Sequence, residues 1–198
     1  MKFSQIMFAF VFFGGCSFNL PGHGEKQTYY VLNAESRTVG AAVTKREARL
    51  LLQEATTSRL VNTERIIFSE QPATRGSYQF SYWAENPPKR FSYLLQKRLE
   101  EVGLFQSVSR TVSGALCDLQ LNVEITDFYH NVVNRPGVSV VNMHLELVDL
   151  KTRNIIASSY FSKAISTATY NAEGAVQGFD RAVSEVLDEV VLWLAKTL

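Results

Sequence analysis

Between Arg65 and Val108 the spacing of apolar residues changes from every second position to every third or fourth, and the change falls on a pair of prolines. Tyr78, Phe80 and Tyr82 alternate with Gln79 and Ser81, which predicts a half-buried strand with one apolar face. Arg65 to Ser69 predicts the other arm of a hairpin around residues 71–76. The strand ends at Trp83, because Pro87 and Pro88 deny a ladder its donors. Beyond them Phe91, Leu94, Leu95, Leu99 and Val102 recur at helical spacing, with Arg90, Lys97, Arg98, Glu100 and Glu101 mostly opposite, so a helix is expected over about 89–102. Gly103 suits the left-handed residue that closes such a helix, and Leu104 to Val108 predicts a return to strand. A chain that switches period in this way is neither all-helical nor all-strand.

The rest of the chain extends the pattern. Leu119, Leu121, Val123 and Ile125 alternate with polar residues. After Asn134-Arg135-Pro136-Gly137, Val141, Met143, Leu145 and Leu147 do the same, which predicts a second hairpin. Asn154 to Ser162 adds a strand, Thr28 to Asn33 predicts the first, and Arg49 to Glu54 reads as another, although its three leucines also fit a helical turn. Ser36 to Glu47 reads as a loop or a short edge element. The last helix is expected over about 171–196, with Asn171 as N-cap and one apolar stripe from Ala175 through Phe179 and Val183 to Leu194. Its opposite face, Gln177, Asp180, Arg181, Ser184, Glu185 and Asp188, is expected to be polar. The stripe is read as core, since a membrane-surface helix would carry lysine and arginine on its polar face. The expected class is α+β: a mostly antiparallel sheet of seven or eight strands with two main helices packed on one face.

The first residues read differently. Lys2 precedes an apolar run from Ile6 to Phe13, the length of a signal-peptide core and too short to span a bilayer. Gly14-Gly15-Cys16 follows, small residues before a cysteine, as at a lipoprotein cleavage site; an ordinary secretory signal with an incidental cysteine is the alternative. The expected organisation is a signal peptide at 1–15, an acylated Cys16 and flexible tether at 16–27, and one domain at 28–198. Cleavage leaves 183 of 198 residues, enough for one well-packed core. With Lys2 gone, the overall charge of +1 falls to about zero, which argues against a nucleic-acid binder. With Cys16 acylated, Cys117 has no disulfide partner and reads as a small buried hydrophobe rather than a reactive thiol.

No catalytic constellation is visible. His23, His130 and His144 are scattered, at a tether, a strand end and a polar strand face, where solvated side chains are expected. No metal-ligand spacing, nucleophile elbow or phosphate-binding glycine loop occurs. No cofactor is expected. Asp127 breaks the alternation of its strand and reads as a loop cap or as a partner for Arg135. Tyr78, Phe80, Tyr82, Trp83 and Phe91 are expected to be core, with a lipid-binding cavity as the other reading.

Several stretches together resemble the ABC-type transport auxiliary lipoprotein family, which includes the lipoprotein of the paraquat-inducible (Pqi) intermembrane transport system. They are Tyr29-Tyr30-Val31-Leu32, the strand ending Trp83-Ala84-Glu85-Asn86-Pro87, the helix followed by Gly103-Leu104-Phe105, Ile125-Thr126-Asp127-Phe128, and residues 174–182 ahead of Trp193. The likeness extends over nearly all of the chain after Cys16. Phe13 departs from the leucine usual before the cleavage site, and residues 36–47 look like an insertion. The resemblance implies a non-enzymatic accessory lipoprotein of a lipid transport system, partnered by a periplasmic MCE-domain protein with its permease or ABC transporter, and compatible with homo-oligomers. A carrier that holds a hydrophobic ligand in its own cavity is the alternative. Ser17 stands where an aspartate would retain an acylated protein in the inner membrane, so an outer-membrane location on the periplasmic side is expected.

Overall fold

A computed structural model describes residues 26–35 and 44–198. The expected signal peptide, Cys16, the tether up to residue 25 and residues 36–43 lie outside the described residues. The elements are β1 Thr28–Tyr30, β2 Arg46–Leu52, β3 Thr56–Thr57, β4 Arg65–Ser69, β5 Gly76–Trp83, α1 Pro87–Val102, β6 Phe105–Arg110, β7 Leu119–Asn131, β8 Val138–Asp149, β9 Ile155–Ser166 and α2 Ala172–Thr197.

Strand pairing is organised on β7. Along one edge it carries β8, antiparallel from Leu119 opposite Asp149 to Asn131 opposite Val138. Along the other edge three short strands follow in succession, all parallel to it: residues 50–52 beside 119–121, 56–57 beside 124–125, and 68–69 beside 130–131. The sheet therefore forks. Beyond β2 lies β6, and beyond β4 lie β5 and then β1, while β9 continues the sheet outward from β8. The class is α+β, as expected. The hairpins β4–β5 and β7–β8–β9 are antiparallel, but β1–β5, β2–β6 and the three short pairings on β7 are parallel, so the sheet is mixed. Alternation within a strand says which face is buried, not which distant strand lies beside it.

Inward positions follow the alternation. Leu119, Leu121, Val123 and Ile125 on β7, and Val141, Met143, Leu145 and Leu147 on β8, are all buried. A bulge between Ile125 and Asp127 shifts the phase, so Phe128 and His130 take the next inward places. β5 departs from the expected single apolar face. Its pairing with β4 slips between Arg65 and Ile67, and both Tyr78 and Trp83, an odd number of residues apart, reach the core.

α1 begins two residues before the expected start. Pro87 and Pro88 occupy its first positions, where a missing N–H costs nothing and the ring presets φ. Gly103 closes it at φ +67°, donating to the carbonyls of Leu99 and Glu100, as the sequence predicts. Asn171 caps α2 by accepting from the Gly174 N–H at 2.9 Å. Phe91, Leu95 and Leu99 of α1 and Phe179, Val183, Val186, Val190 and Leu194 of α2 join the strand residues in one core cluster. At its centre, Phe128 and Phe179 stack at 4.3 Å, and Trp83 meets both edge-on at 5.9 and 5.7 Å. Among the described residues no helix is long and apolar enough to cross a membrane.

Candidate functional site

After Tyr30 the chain leaves the sheet, and residues 31–35 run across the two helices as a strap. Without a ladder its backbone groups need other partners, and side chains of both helices supply them. Arg90 Nε donates to the Leu32 carbonyl at 2.9 Å, Asp180 Oδ1 accepts from the Asn33 N–H at 2.8 Å, and the Glu35 carbonyl accepts from Arg98 Nη2 at 2.8 Å and Ser184 Oγ at 2.6 Å. Leu32 is inserted into the core. Arg98 is 2% exposed and is also paired with Asp188 of α2, so one guanidinium ties α1, α2 and the strap together. Removing Asp188 strands the buried Arg98 charge; because the Asp188 side chain is itself 21% exposed, the cost is expected at or below the lower end of the about 3–5 kcal/mol of a fully buried pair.

This arrangement differs from the helical wheel in two places. Arg98 was expected on the solvent side of α1, and Ser184 on the polar face of α2; both are buried. The signal was present for Arg98, which stands seven residues after Phe91 and so falls on the apolar stripe. Ser184 is buried because the strap covers that flank of α2.

The strap and α2 enclose a cleft of about 450 Å³ lined by Asn33, Glu35, Ala168, Gln177, Asp180, Arg181 and Ser184. Burial pushes the Asp180 carboxyl up to about 6, the Asn33 N–H opposing and Glu35 adding to the shift. Arg181 Nη2 donates to the Ser166 carbonyl at 2.5 Å. The cleft offers charged and hydrogen-bonding groups, not a greasy wall. Of the five aromatics expected in the core, Trp83 and Phe91 are there, 1% and 0% exposed, and Tyr78 packs against it; Phe80 and Tyr82 are half-buried and outside the core cluster, and none of the five lines the cleft.

A second polar cluster lies inside the protein. His130 was expected to be solvated and is fully buried. The Tyr78 hydroxyl lies 2.8 Å from Nδ1 and Thr167 Oγ1 lies 3.2 Å from Nε2, while Thr167 donates onward to the Pro136 carbonyl at 3.0 Å. That order assigns the neutral tautomer: Nε2–H donates to Thr167 and Nδ1 accepts from Tyr78. Burial lowers the pKa of His130 and pushes Tyr78 up to about 12. Although Thr167 places a hydroxyl beside an imidazole, it is buried and its proton is taken by Pro136. The cluster secures the β7–β8 turn; it does not present a nucleophile.

Asp127, at the bulge, pairs with Arg75 at 3.4 Å and accepts from Asn142 Nδ2 at 3.1 Å, whereas Arg135 stacks over Tyr170. His144 stacks on Tyr160 at 4.4 Å; His23 and Cys16 lie outside the described residues. Cys117 is half-buried rather than core, in the turn before β7, with Sγ 3.7 Å from the Ala115 carbonyl. Among the described residues no group of three or more His, Cys, Asp or Glu side chains is placed to hold a metal ion.

The family description "ABC-type transport auxiliary lipoprotein component" matches residues 30–191, which include the strap, α1, α2 as far as Val191 and the cleft. The chain belongs to this family. Within residues 174–182, one of the stretches that carry the resemblance, three roles are structural. Gly178 lets α2 approach β8, since a Cβ there would run into Ser139, whose Oγ donates to the Ala175 carbonyl at 2.8 Å. Phe179 anchors the aromatic cluster, and Asp180 holds the strap. Among solved structures, protein XCC0632 from Xanthomonas campestris is similar to this chain at 17% identity and a TM-score of 0.78, covering 85% of this chain and 95% of its own. An uncharacterised protein is similar at 12% identity and a TM-score of 0.63, covering 87% and 98%. Both likenesses are of fold. No curated protein matches the chain. The family is one of lipoproteins auxiliary to ABC-type transport, not an enzyme class.

Proposed function

We propose that this chain is a non-enzymatic lipoprotein, anchored through Cys16 in the inner leaflet of the outer membrane, that serves as an accessory component of an MCE-type, ABC-linked intermembrane lipid transport system. Its partners in this reading are a periplasmic MCE-domain protein and the permease or ABC transporter behind it. The observation that carries the proposal is the family match across residues 30–191. Ser17, in place of a retaining aspartate, supports the outer-membrane site. A docking role is favoured over lipid carriage because Trp83, Phe128 and Phe179 pack on one another in the core, which Phe91 shares, and the cleft beside α2 is lined mostly by polar side chains. Apolar ligands need concave apolar pockets.

Density-gradient fractionation is expected to place the protein in the outer-membrane peak. Photo-crosslinkers at exposed positions around the cleft, such as Gln177 and Glu35, are expected to capture an MCE-domain protein. Inner-membrane fractionation with Ser17 intact, together with no such capture, would overturn the proposal, and lipid co-purifying with the purified protein in native mass spectrometry would favour the carrier instead.

A further inference from the structure

β1 and the residues just after it carry apolar side chains on both faces. Tyr30 packs against the core and Leu32 is part of it, whereas Tyr29 and Val31, at the alternate positions, are 59% and 56% exposed. A strand apolar on both faces is ordinarily one that is covered on both, and the helices cover only the inner one. Tyr29 lies opposite Tyr82 of β5, and Tyr82 opposite Arg65 of β4, so the three form one row across the outer face of the sheet. The rings of Tyr29 and Tyr82 stack at 5.6 Å, and the Arg65 guanidinium lies 6.0 Å from the centroid of Tyr82. Lys26 and Gln27, immediately ahead of β1, are exposed. This patch is therefore where the chain leading from Cys16 enters the domain.

We infer, on the reading that Cys16 carries the lipid, that this corner of the sheet rests on the surface of the membrane holding that lipid, with Tyr29, Val31 and Tyr82 at the boundary between headgroups and acyl chains and with Arg65 and Lys26 against lipid phosphates. Tyrosine suits that boundary, because its ring is apolar and its hydroxyl stays wet. Arginine and lysine reach past the rings on apolar stems toward anionic headgroups. Three side chains and two charges are too few to hold a free protein on a bilayer. A short tether removes that requirement. Residues 17–27 are eleven, and a flexible chain of that length spans on the order of 18 Å, which presents the patch to the lipid at an effective concentration on the order of millimolar. The tether also selects this occupant over others, because the lipid is within its reach in every copy. The helix layer, with the cleft beside α2, then faces away from the membrane, toward a partner arriving from the periplasm.

The test is fluorescence quenching on vesicles of phosphatidylethanolamine and phosphatidylglycerol that contain a nitroxide-labelled lipid. In a Cys117→Ser background, an environment-sensitive dye is attached at Val31→Cys or, on the helix layer, at Tyr93→Cys of α1, where the native side chain is also exposed. The chain is held on the vesicles in two ways: as the acylated protein, and as a chain whose residues 1–16 are replaced by a histidine tag bound to a nickel-chelating lipid. In both forms the dye at Val31 is expected to be quenched several-fold more than the dye at Tyr93, with its emission shifted to the blue only when vesicles are present. Tyr29→Glu combined with Arg65→Glu, both at exposed positions, is expected to abolish that difference while keeping the melting temperature. Equal quenching at the two positions in the tag-held chain overturns the inference. So does a blue shift at Val31 before vesicles are added, which would show the patch covered by the tether or by a second copy. If the tag-held chain shows the difference but the untagged chain does not stay on vesicles, the lipid-facing patch stands and the reading of Cys16 falls.

Discussion

His130 and Asp180 sit on opposite sides of one question, what acid does to this fold. His130 is buried as the neutral tautomer and its pKa is lowered, so the unfolded chain binds its proton better. Its contribution to stability is complete above about pH 6.5 and is lost as pH falls below that, at up to about 1.4 kcal/mol per pH unit, down to the folded-state pKa. Asp180 is raised to about 6, so the folded chain binds that proton better. Its contribution is complete below about pH 4 and is lost as pH rises to about 6, an effect on the order of 1 kcal/mol once its partial exposure is allowed for. Around pH 5 to 6 the two slopes oppose each other. His130→Gln is therefore expected to cost about 1–3 kcal/mol at pH 7.5, through a weakened bond to Tyr78 or Thr167, and to give a protein whose melting temperature rises on acidification from pH 6.5 to 5. Asp180→Asn, which keeps an acceptor for the Asn33 N–H, is expected to steepen the wild-type loss over the same range. Parallel curves for all three proteins would show that neither group is coupled to folding in this way. Neither residue announced itself in the sequence: His130 lies on the inward phase only because of the bulge at Asp127, and Asp180 looks like any polar-face residue until the strap lies against it.

At the scale of the element, the legible features were those that a strand or helix settles by itself. The alternation of β7 and β8, the left-handed Gly103, the Asn171 cap and the α2 stripe were readable because each depends on neighbours within a few residues. What was not readable depends on residues far away in the chain. Three strands parallel to β7 are brought there by loops whose sequence carries no register, and Cys117 misses the core because β7 begins two residues later, at Leu119. The strap is the clearest case, since its hydrogen bonds join residues 32–35 to residues 90–184 and no periodicity can express them. The α2 stripe carries a quantitative expectation. Phe179 is 0% exposed, stacked on Phe128 and edge-on to Trp83, so Phe179→Ala is expected to cost about 3–5 kcal/mol, a large share of a typical domain's stability. Chemical denaturation measures it, and a loss below 1 kcal/mol would mean that the cluster refills the space. Gly178→Ala tests the approach of the helix to β8 separately, with an expected loss of about 1–3 kcal/mol from overpacking against Ser139.

For the whole molecule, the proposed function turns on how the domain is held. Eleven residues, 17–27, separate Cys16 from β1, and even fully extended they span at most about 40 Å. A domain tethered on that length stays next to the membrane that holds the lipid, so a partner has to come to it. The hold itself is a matter of methylenes, at about 0.8 kcal/mol each when buried: one acyl chain gives marginal, reversible binding, whereas the several chains of a processed lipoprotein give a stable anchor. If Cys16 is the anchor as proposed, Cys16→Ser removes the thioether that would carry them and leaves every described residue unchanged. The variant is expected to appear in the soluble periplasmic fraction or to persist as an uncleaved precursor of higher mass, and a released form is expected to keep the wild-type melting temperature because the fold of residues 44–198 owes nothing to the lipid. Unchanged mobility together with unchanged dependence on detergent for extraction would show that the chain is held by something other than Cys16, and the outer-membrane reading of Ser17 would fall with it.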